Sequence, residues 1–580
     1  MWRISVKKLF YYLKPVAGMM TVGTIIKFIG SIMDLFLPYI LAHLLDNVVP
    51  EAKNSGEIRT IFIWGGVMII CAAVAWIGNI VANRIAASTT RDAVKQMRSD
   101  LFRKTINLSE KQINDFSIPT LEMRLTGDTY NIHRMVGMMQ RMGIRAPILL
   151  IGGVIMTFSM EPVLTCVLLC ALPIIGFVVY FVSKKGIPLY DKVQSSTDKM
   201  VRIVRENIVG VRVIKALSKT DFEKARFEES NEEVGKNDMS AAIIMGITSP
   251  VMQILLNAGL VAVIFVGAIR VDAGLSEVGK IIAFMSYFTI ILNAMMAVTR
   301  LFVMCSKGIA SMNRIAEVLE EKDEQEIFLG AAPSEDIDTD NKIVFDKVCF
   351  SYNGVKDNLH NISLSLKRGG TLGIIGATGS GKTTLIKLLM RFYDPQSGSI
   401  YIDGKDIRKM SSKELRSRFG IAMQNDFLYA GTVEDNLRFE REVTTEEINE
   451  AVLRAQAGDF VSERGLDYQL DMSGHNLSGG QRQRLLVARA LAGNPEILIL
   501  DDASSALDYK TDSALRSAIG NIDPSPTTVI VAQRVSSVMN SDVILLLDNG
   551  ETVACGDHET LMRECEMYRE IAETQMGGGV

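Results

Sequence analysis

Eight consecutive residues, Gly376-Ala-Thr-Gly-Ser-Gly-Lys-Thr383, carry the strongest chemical signal in the chain. Gly376, Gly379 and Gly381, interleaved with Thr378 and Ser380, let successive backbone N–H groups close around phosphate oxygens at a helix N-terminus, where the helix dipole favours an anion. In such a P-loop Lys382 would reach the outer phosphates, and the Thr383 hydroxyl, followed by Thr384, would sit on Mg²⁺. A second signal is the apolar run 497–500 leading into Asp501-Asp502. A buried strand ending in a carboxylate is how such folds complete the Mg²⁺ shell. Between the two lies Leu477-Ser-Gly-Gly-Gln481, heading a helical stretch over 482–491. There Ser478, Gly479, Gly480 and Gln481 would offer further N–H groups and a hydroxyl to a phosphate. The seven cysteines, at 71, 166, 170, 305, 349, 555 and 565, form no CxxC pair, so no disulfide or zinc framework is expected.

A P-loop needs a strand before it and a helix after it. The runs 371–375 and 384–392 supply both, and short apolar strands are expected at 343–348, 497–500, 528–531 and 543–547 among charged helical stretches. This predicts an α/β domain over 341–580. The segment 321–340 is acidic and lacks periodicity, and reads as a linker.

The other half of the chain is apolar. Mean hydropathy is +0.20, with 48% hydrophobic and 22% charged residues. A net charge of −4 leaves no basic footprint for nucleic acid. Six runs within 1–320 (17–45, 61–83, 143–160, 163–183, 241–269 and 279–303) approach or exceed the roughly 20 residues a spanning helix needs. The stretches 84–145 and 184–240 hold eleven and twelve Lys and Arg, whereas 46–60, 161–162 and 270–280 hold two, none and two. Positive-inside bias therefore places the two long connections and both termini in the cytosol. Helical spacing over 86–108 and 193–236 predicts that the spans continue into the cytosol and return, with 114–120 (Pro119) a candidate turn. The leader around Trp2, Leu9 and Phe10 reads as a membrane-surface helix, not a cleavable signal.

Taken together, these motifs resemble the ATP-binding cassette (ABC) transporter superfamily, whose signature is LSGGQ. Six spans ahead of one cassette is its exporter half-transporter plan. The expected fold is thus a six-helix membrane domain with long cytosolic extensions, fused to an α/β P-loop cassette. By resemblance, Tyr352 stacks on adenine and Gln424 touches Mg²⁺ and the attacking water. Mg²⁺ is then held by Thr383, Gln424 and Asp501. Ser505-Ala-Leu-Asp508 resembles the loop that crosses to the partner cassette, and Gln533 stands at the switch-histidine position. Glu206 with Gly210-Val-Arg-Val-Ile-Lys215-Ala matches the second cytosolic excursion, and Leu125-Thr-Gly-Asp128 loosely matches the first.

Two departures fall in one site. Family members that hydrolyse ATP follow the Mg²⁺ aspartate with a glutamate, which polarises water; here Asp502 stands there, one methylene shorter. The five histidines (43, 133, 360, 475 and 558) are absent from the strand preceding Gln533. Met472 also stands about where exporters carry a glutamate ahead of the signature. A cassette with an intact signature and an impaired base implies a heterodimer, whose partner half-transporter supplies the Glu and His. The alternatives are a homodimeric exporter with slow hydrolysis from Asp502, or an ATP-gated regulatory or channel-like protein without turnover. ATP and Mg²⁺ are the implied cofactors, and a bacterial plasma membrane the implied location.

Thirty methionines, many of them in or near the spans (Met19, Met20, Met33, Met138, Met139, Met156, Met245, Met252, Met285, Met295, Met296 and Met304), together with Phe284, Tyr287, Phe288 and Phe302, suit a cavity for hydrophobic or amphipathic compounds. Lipid contact and helix packing are the plainer reading for any one methionine. Asp34 lies inside a span with Lys27 two turns earlier. A structural pair with Lys27, a pair with a basic residue of another helix, and a cation-binding role all remain open.

Overall fold

The computed structural model describes residues 2–322, 340–354, 356–424 and 426–576. Most of the expected linker therefore lies outside the described residues. The chain forms two compact units: residues up to Ile106 with Ile118–Glu321, and Asn107–Ser117 with residues from Lys322 onward.

In the first unit six helices are long and apolar enough to cross a membrane: Lys7–Ser55, Arg59–Ile106, Ile118–Met160, Pro162–Val209, Thr220–Asp272 and Val278–Glu320. At 1.5 Å per residue the 48 residues of Arg59–Ile106 extend about 72 Å, more than twice a hydrocarbon core of about 30 Å. Helical periodicity thus runs unbroken from the apolar into the charged stretch. Phe62, Ile69 and Trp76 of this helix are exposed, a face that suits lipid. The break expected at 114–120 is narrower than the sequence suggests. Ser109 closes a capping box with Gln112 on Glu110–Phe116, Ser117 alone turns with φ +65°, and Pro119 lies inside the next helix, Ile118–Met123.

The sixth span forms the centre of this unit, and it corrects one expectation. Phe284, Tyr287 and Phe288 are fully buried core residues and line neither of the two membrane-unit cavities of about 360 and 850 Å³, while Phe302 is exposed. A Cβ added at Gly259 would meet the Phe288 ring at 2.2 Å, so this glycine gives the ring its place. Asp34 accepts from Arg145 of the third span at 3.0 Å, and Lys27 donates to Asn83 of the second at 3.0 Å. Among the three readings of Asp34, the structure selects the basic residue of another helix.

The second unit holds the strands β1 (Asn341–Phe350), β2 (Leu359–Lys367), β3 (Thr371–Gly376), β4 (Ser397–Ile402), β5 (Lys405–Asp406), β6 (Phe419–Ala422), β7 (Gly431–Thr432), β8 (Gln469–Leu470), β9 (Ile497–Asp501), β10 (Thr527–Val531), β11 (Val543–Asp548) and β12 (Glu551–Gly556). One sheet is ordered β2-β1-β4-β5 and antiparallel; the larger is ordered β12-β11-β3-β10-β9-β6 and parallel except for β12. Val531 pairs with both Ile374 and Asp501, so the carboxyl ends of β3, β10 and β9 lie side by side. Ligands of open α/β sheets bind at such strand ends. The helix after the P-loop spans Lys382–Leu389, earlier at both ends than the expected 384–392. It stops because Arg391 turns to φ +52° and buries its guanidinium against Asp394 and the Met410 carbonyl.

Glu110–Phe116 belongs to this unit. Glu110 pairs with Lys387 of the P-loop helix, and Asn114 Nδ2 donates to the Tyr393 hydroxyl at 3.2 Å.

Candidate active site

A cleft of about 280 Å³ opens at the joined strand ends, between the turn after β3 and the residues following β9 and β10. It brings together Thr378, Gly379, Gly381, Lys382, Thr383, Thr384, Gln424, Asp501, Asp502 and Gln533, side chains and backbone spread over more than 150 positions. The loop must be glycine at its start. A Cβ on Gly376 would meet the Leu547 carbonyl oxygen at 2.1 Å. Gly381 caps the helix from the left-handed region at φ +102°, where a Cβ would meet Leu359 at 2.6 Å.

The loop's polar groups are arranged for a phosphate chain. Lys382 Nζ is tethered at 2.7 Å to the carbonyls of Gly376 and Ala377, and burial pushes its ammonium below the usual range against the pull of Asp501 and Asp502. The Ser380 hydroxyl is buried and has no hydrogen-bond partner among the described residues. Asp501 is buried, and burial holds its carboxyl above the usual range, with the Thr383 hydroxyl donating at 3.3 Å in opposition. A buried carboxylate beside an orphaned hydroxyl and a restrained ammonium fits Mg²⁺ and a nucleotide phosphate chain.

Asp502 follows the strand at φ +51°, with its N–H donating to Val531 O at 2.9 Å. Its Oδ2 accepts from Gln424 Nε2 at 3.1 Å and from Gln533 Nε2 at 3.4 Å. Burial raises this carboxyl too, and the Gln424 amide and Lys382 pull the other way. Tyr352 stands at the margin, partly exposed, edge-on to Phe350 and Tyr393 and 3.4 Å from the Thr384 hydroxyl. Its backbone N–H is held by Asn358, a cleft residue with no motif to announce it.

Ser478, Gly479, Gly480 and Gln481 do not line this cleft. Ser478 caps the helix Gly479–Leu491 in a reciprocal box with Gln481, starting three residues before the expected 482. Gln483 bonds Ser505 at 2.9 Å and the Ala506 N–H at 2.8 Å, which fixes the 505–508 loop beside the signature. Sequence reasoning also missed Gln575. Its amide accepts from Val535 N–H at 2.7 Å and donates to Gln533 O at 2.9 Å, clamping the loop that carries Gln533. Nothing local in the sequence marks it.

Residues 20–295 match the ABC transporter transmembrane region, and residues 359–505 the ABC transporter family. An uncharacterised ABC transporter ATP-binding protein of Mycobacterium tuberculosis is 33% identical over 572 residues, covering 97% of each chain. YfiB of Bacillus subtilis, also an uncharacterised ABC transporter ATP-binding protein, is 32% identical over 576 residues, covering 98% of this chain and 99% of its own. The structure of a bacterial Atm1-family ABC exporter with ATP bound superposes with a TM-score of 0.79 over 99% of each chain at 21% identity, showing the same fold. The chain belongs to the ABC transporter family: a six-helix membrane domain fused to an ABC-type ATPase cassette.

Proposed function

We propose that this chain is one half of a heterodimeric exporter, whose own cleft binds ATP and hydrolyses it poorly while its signature completes the partner's cleft. The observation that carries the reading is Asp502 held by two amides, Gln424 at 3.1 Å and Gln533 at 3.4 Å. A general base must take a proton from water within about 2.6–3.2 Å. Here both amides converge on one carboxylate oxygen, neither can carry a proton, and the side chain is a methylene short of glutamate. A misplacement of about 1 Å costs on the order of 10²-fold in rate.

The other residues serve binding. The N–H groups of 376–383 and Lys382 take the phosphates, Tyr352 the adenine. Thr383, Asp501 and Gln424 would hold Mg²⁺, which would supply positive charge to offset that of the phosphates. The signature's placement outside its own cleft supports its use by a second cassette, with the 505–508 loop fixed beside it. In this reading both termini are cytoplasmic, and Glu110–Phe116 and Val211–Ala216 transmit cassette closure to the spans. Val211, Val213 and Leu217 remain exposed, an apolar tip available to another chain. The transported compound is hydrophobic or amphipathic. Met138, Met245, Met252, Met296 and Met304 line one cavity of about 850 Å³ in the membrane unit, which supports this.

Vanadate trapping with a photoreactive ATP tests the assignment. Under turnover the trapped label should fall on the partner's P-loop, and equal trapping on Lys382's loop would overturn the reading in favour of two working sites.

A further inference from the structure

The 850 Å³ cavity is lined from the third to the sixth spans, and beside it lies a second cavity of about 360 Å³; Met138, Asn293 and Arg300 line both. Their walls are apolar, yet the charges they carry are all arginine: Arg134 and Arg300 in the larger, Arg145 and Arg300 in the smaller. No Asp or Glu lines either cavity among the described residues. Arg145 is neutralised by Asp34. Arg134 and Arg300 have no carboxylate partner among the described residues, and Arg134 rests near the Tyr130 ring at 5.9 Å. Gln253 and Asn293 add amide donors on the same wall. Uncompensated guanidinium groups beside an apolar cavity favour an anion with an oxygen-bearing head, which Arg can bind through two parallel hydrogen bonds.

The charges are also placed at one end. Arg300 lies 22 residues after Val278, the start of the sixth helix, about 33 Å along it and so at the edge of a hydrocarbon core of about 30 Å. Leu292 and Met296 lie one to two turns back toward the middle of the span, facing Met252 and Leu256. Head-binding and tail-binding residues are therefore separated along the helix axis.

We propose that this cavity binds an anionic amphiphile, a carboxylate or phosphate head at Arg134 and Arg300 with its hydrocarbon tail among Met252, Leu256, Leu292 and Met296. The proposal names the substrate class within the export reading and rests on it. Binding is measured without ATP, so its failure is distinct from a failure of transport.

The test uses the transporter with its partner half in zwitterionic lipid nanodiscs. A fluorescent dodecanoate is compared with its uncharged methyl ester and its amine analogue. The carboxylate should bind about tenfold more tightly than the ester, since charge-assisted hydrogen bonds are the stronger ones. Arg134→Glu and Arg300→Glu should each erase that preference and favour the amine, while Arg300→Lys keeps much of it. Binding of a fluorescent ATP analogue verifies that the variants fold. Equal affinity of the wild type for acid and ester, which needs no variant, overturns the proposal, as does an acid preference that survives both reversals. Anionic diacyl lipid in the disc distinguishes the source: competition with the probe supports a bilayer lipid as occupant, and its absence supports a single-chain compound.

Discussion

The pairing of Glu110 with Lys387 joins positions far apart in sequence, and removing it should loosen the 110–116 helix by a calculable amount. The two side chains are 28% and 23% exposed, so the pair lies between a surface ion pair, worth about 0–1 kcal/mol, and a buried one, whose breaking costs about 3–5 kcal/mol. An intermediate value of about 1–2 kcal/mol corresponds to a factor of roughly five to thirty in the equilibrium for local opening. Burial, the largest single influence, would lower the Lys387 ammonium, yet the hydrogen bond and charge of Glu110, with smaller contributions from Tyr352 and Tyr393, together turn the net shift upward, as expected of a pair that favours the charged form. Glu110→Ala should therefore reduce amide exchange protection over 110–116 by about fivefold to thirtyfold, leaving the sheet beneath unchanged. The reversed pair Glu110→Lys with Lys387→Glu should restore most of it. Unchanged protection in Glu110→Ala, or a reversed pair no better than the single variant, would refute the reasoning, because charge would then not hold the helix.

Two further outcomes follow from the same physics. Burial raises the Asp501 carboxyl above its usual 3.8, so the ligand-free fold penalises the ionised form; the cost is absent below 3.8, grows as pH rises through the raised value and is full above it. Asp501→Asn should thus melt higher than the wild type at neutral pH without nucleotide, with the gap closing on acidification, and should lose the stabilisation that Mg²⁺ and ATP give the wild type. Asp34→Asn leaves Arg145 unpaired and should cost about 1–2 kcal/mol in thermal unfolding. Adding Arg145→Gln should recover stability, and transport of cationic and neutral compounds should fall equally.

The parts of the fold legible in sequence are those encoded by neighbouring residues. The P-loop depends on eight consecutive positions, and the apolar runs at 371–375 and 497–500 are short, unbroken and buried on both faces, so their strands stand where they were expected. Helical periodicity carried the spans into the charged stretches for the same reason. Errors arose where distant residues decide. The end of the P-loop helix is set by Arg391 finding Asp394 and Met410, and periodicity cannot see such a buried polar anchor. Phe284, Tyr287 and Phe288 belong to a helix apolar on all sides, which does not reveal whether a ring meets a cavity or Gly259. Asp34 shares a face with Lys27, but its partner comes from the third span. In the nucleotide cleft the identities of Asp502 and Gln533 were legible, while their convergence through Gln424 and the clamp by Gln575 required the fold.

ATPase turnover tests the central claim most directly, measured on this chain alone, on the chain with a candidate partner half-transporter, and on that pair carrying Asp502→Glu with Gln533→His. The account predicts near-background turnover for the chain alone, full turnover for the pair, and a second active site in the doubly substituted pair. Full turnover by the chain alone would contradict it, making Asp502 a competent base despite its two amide partners and the homodimer the working form.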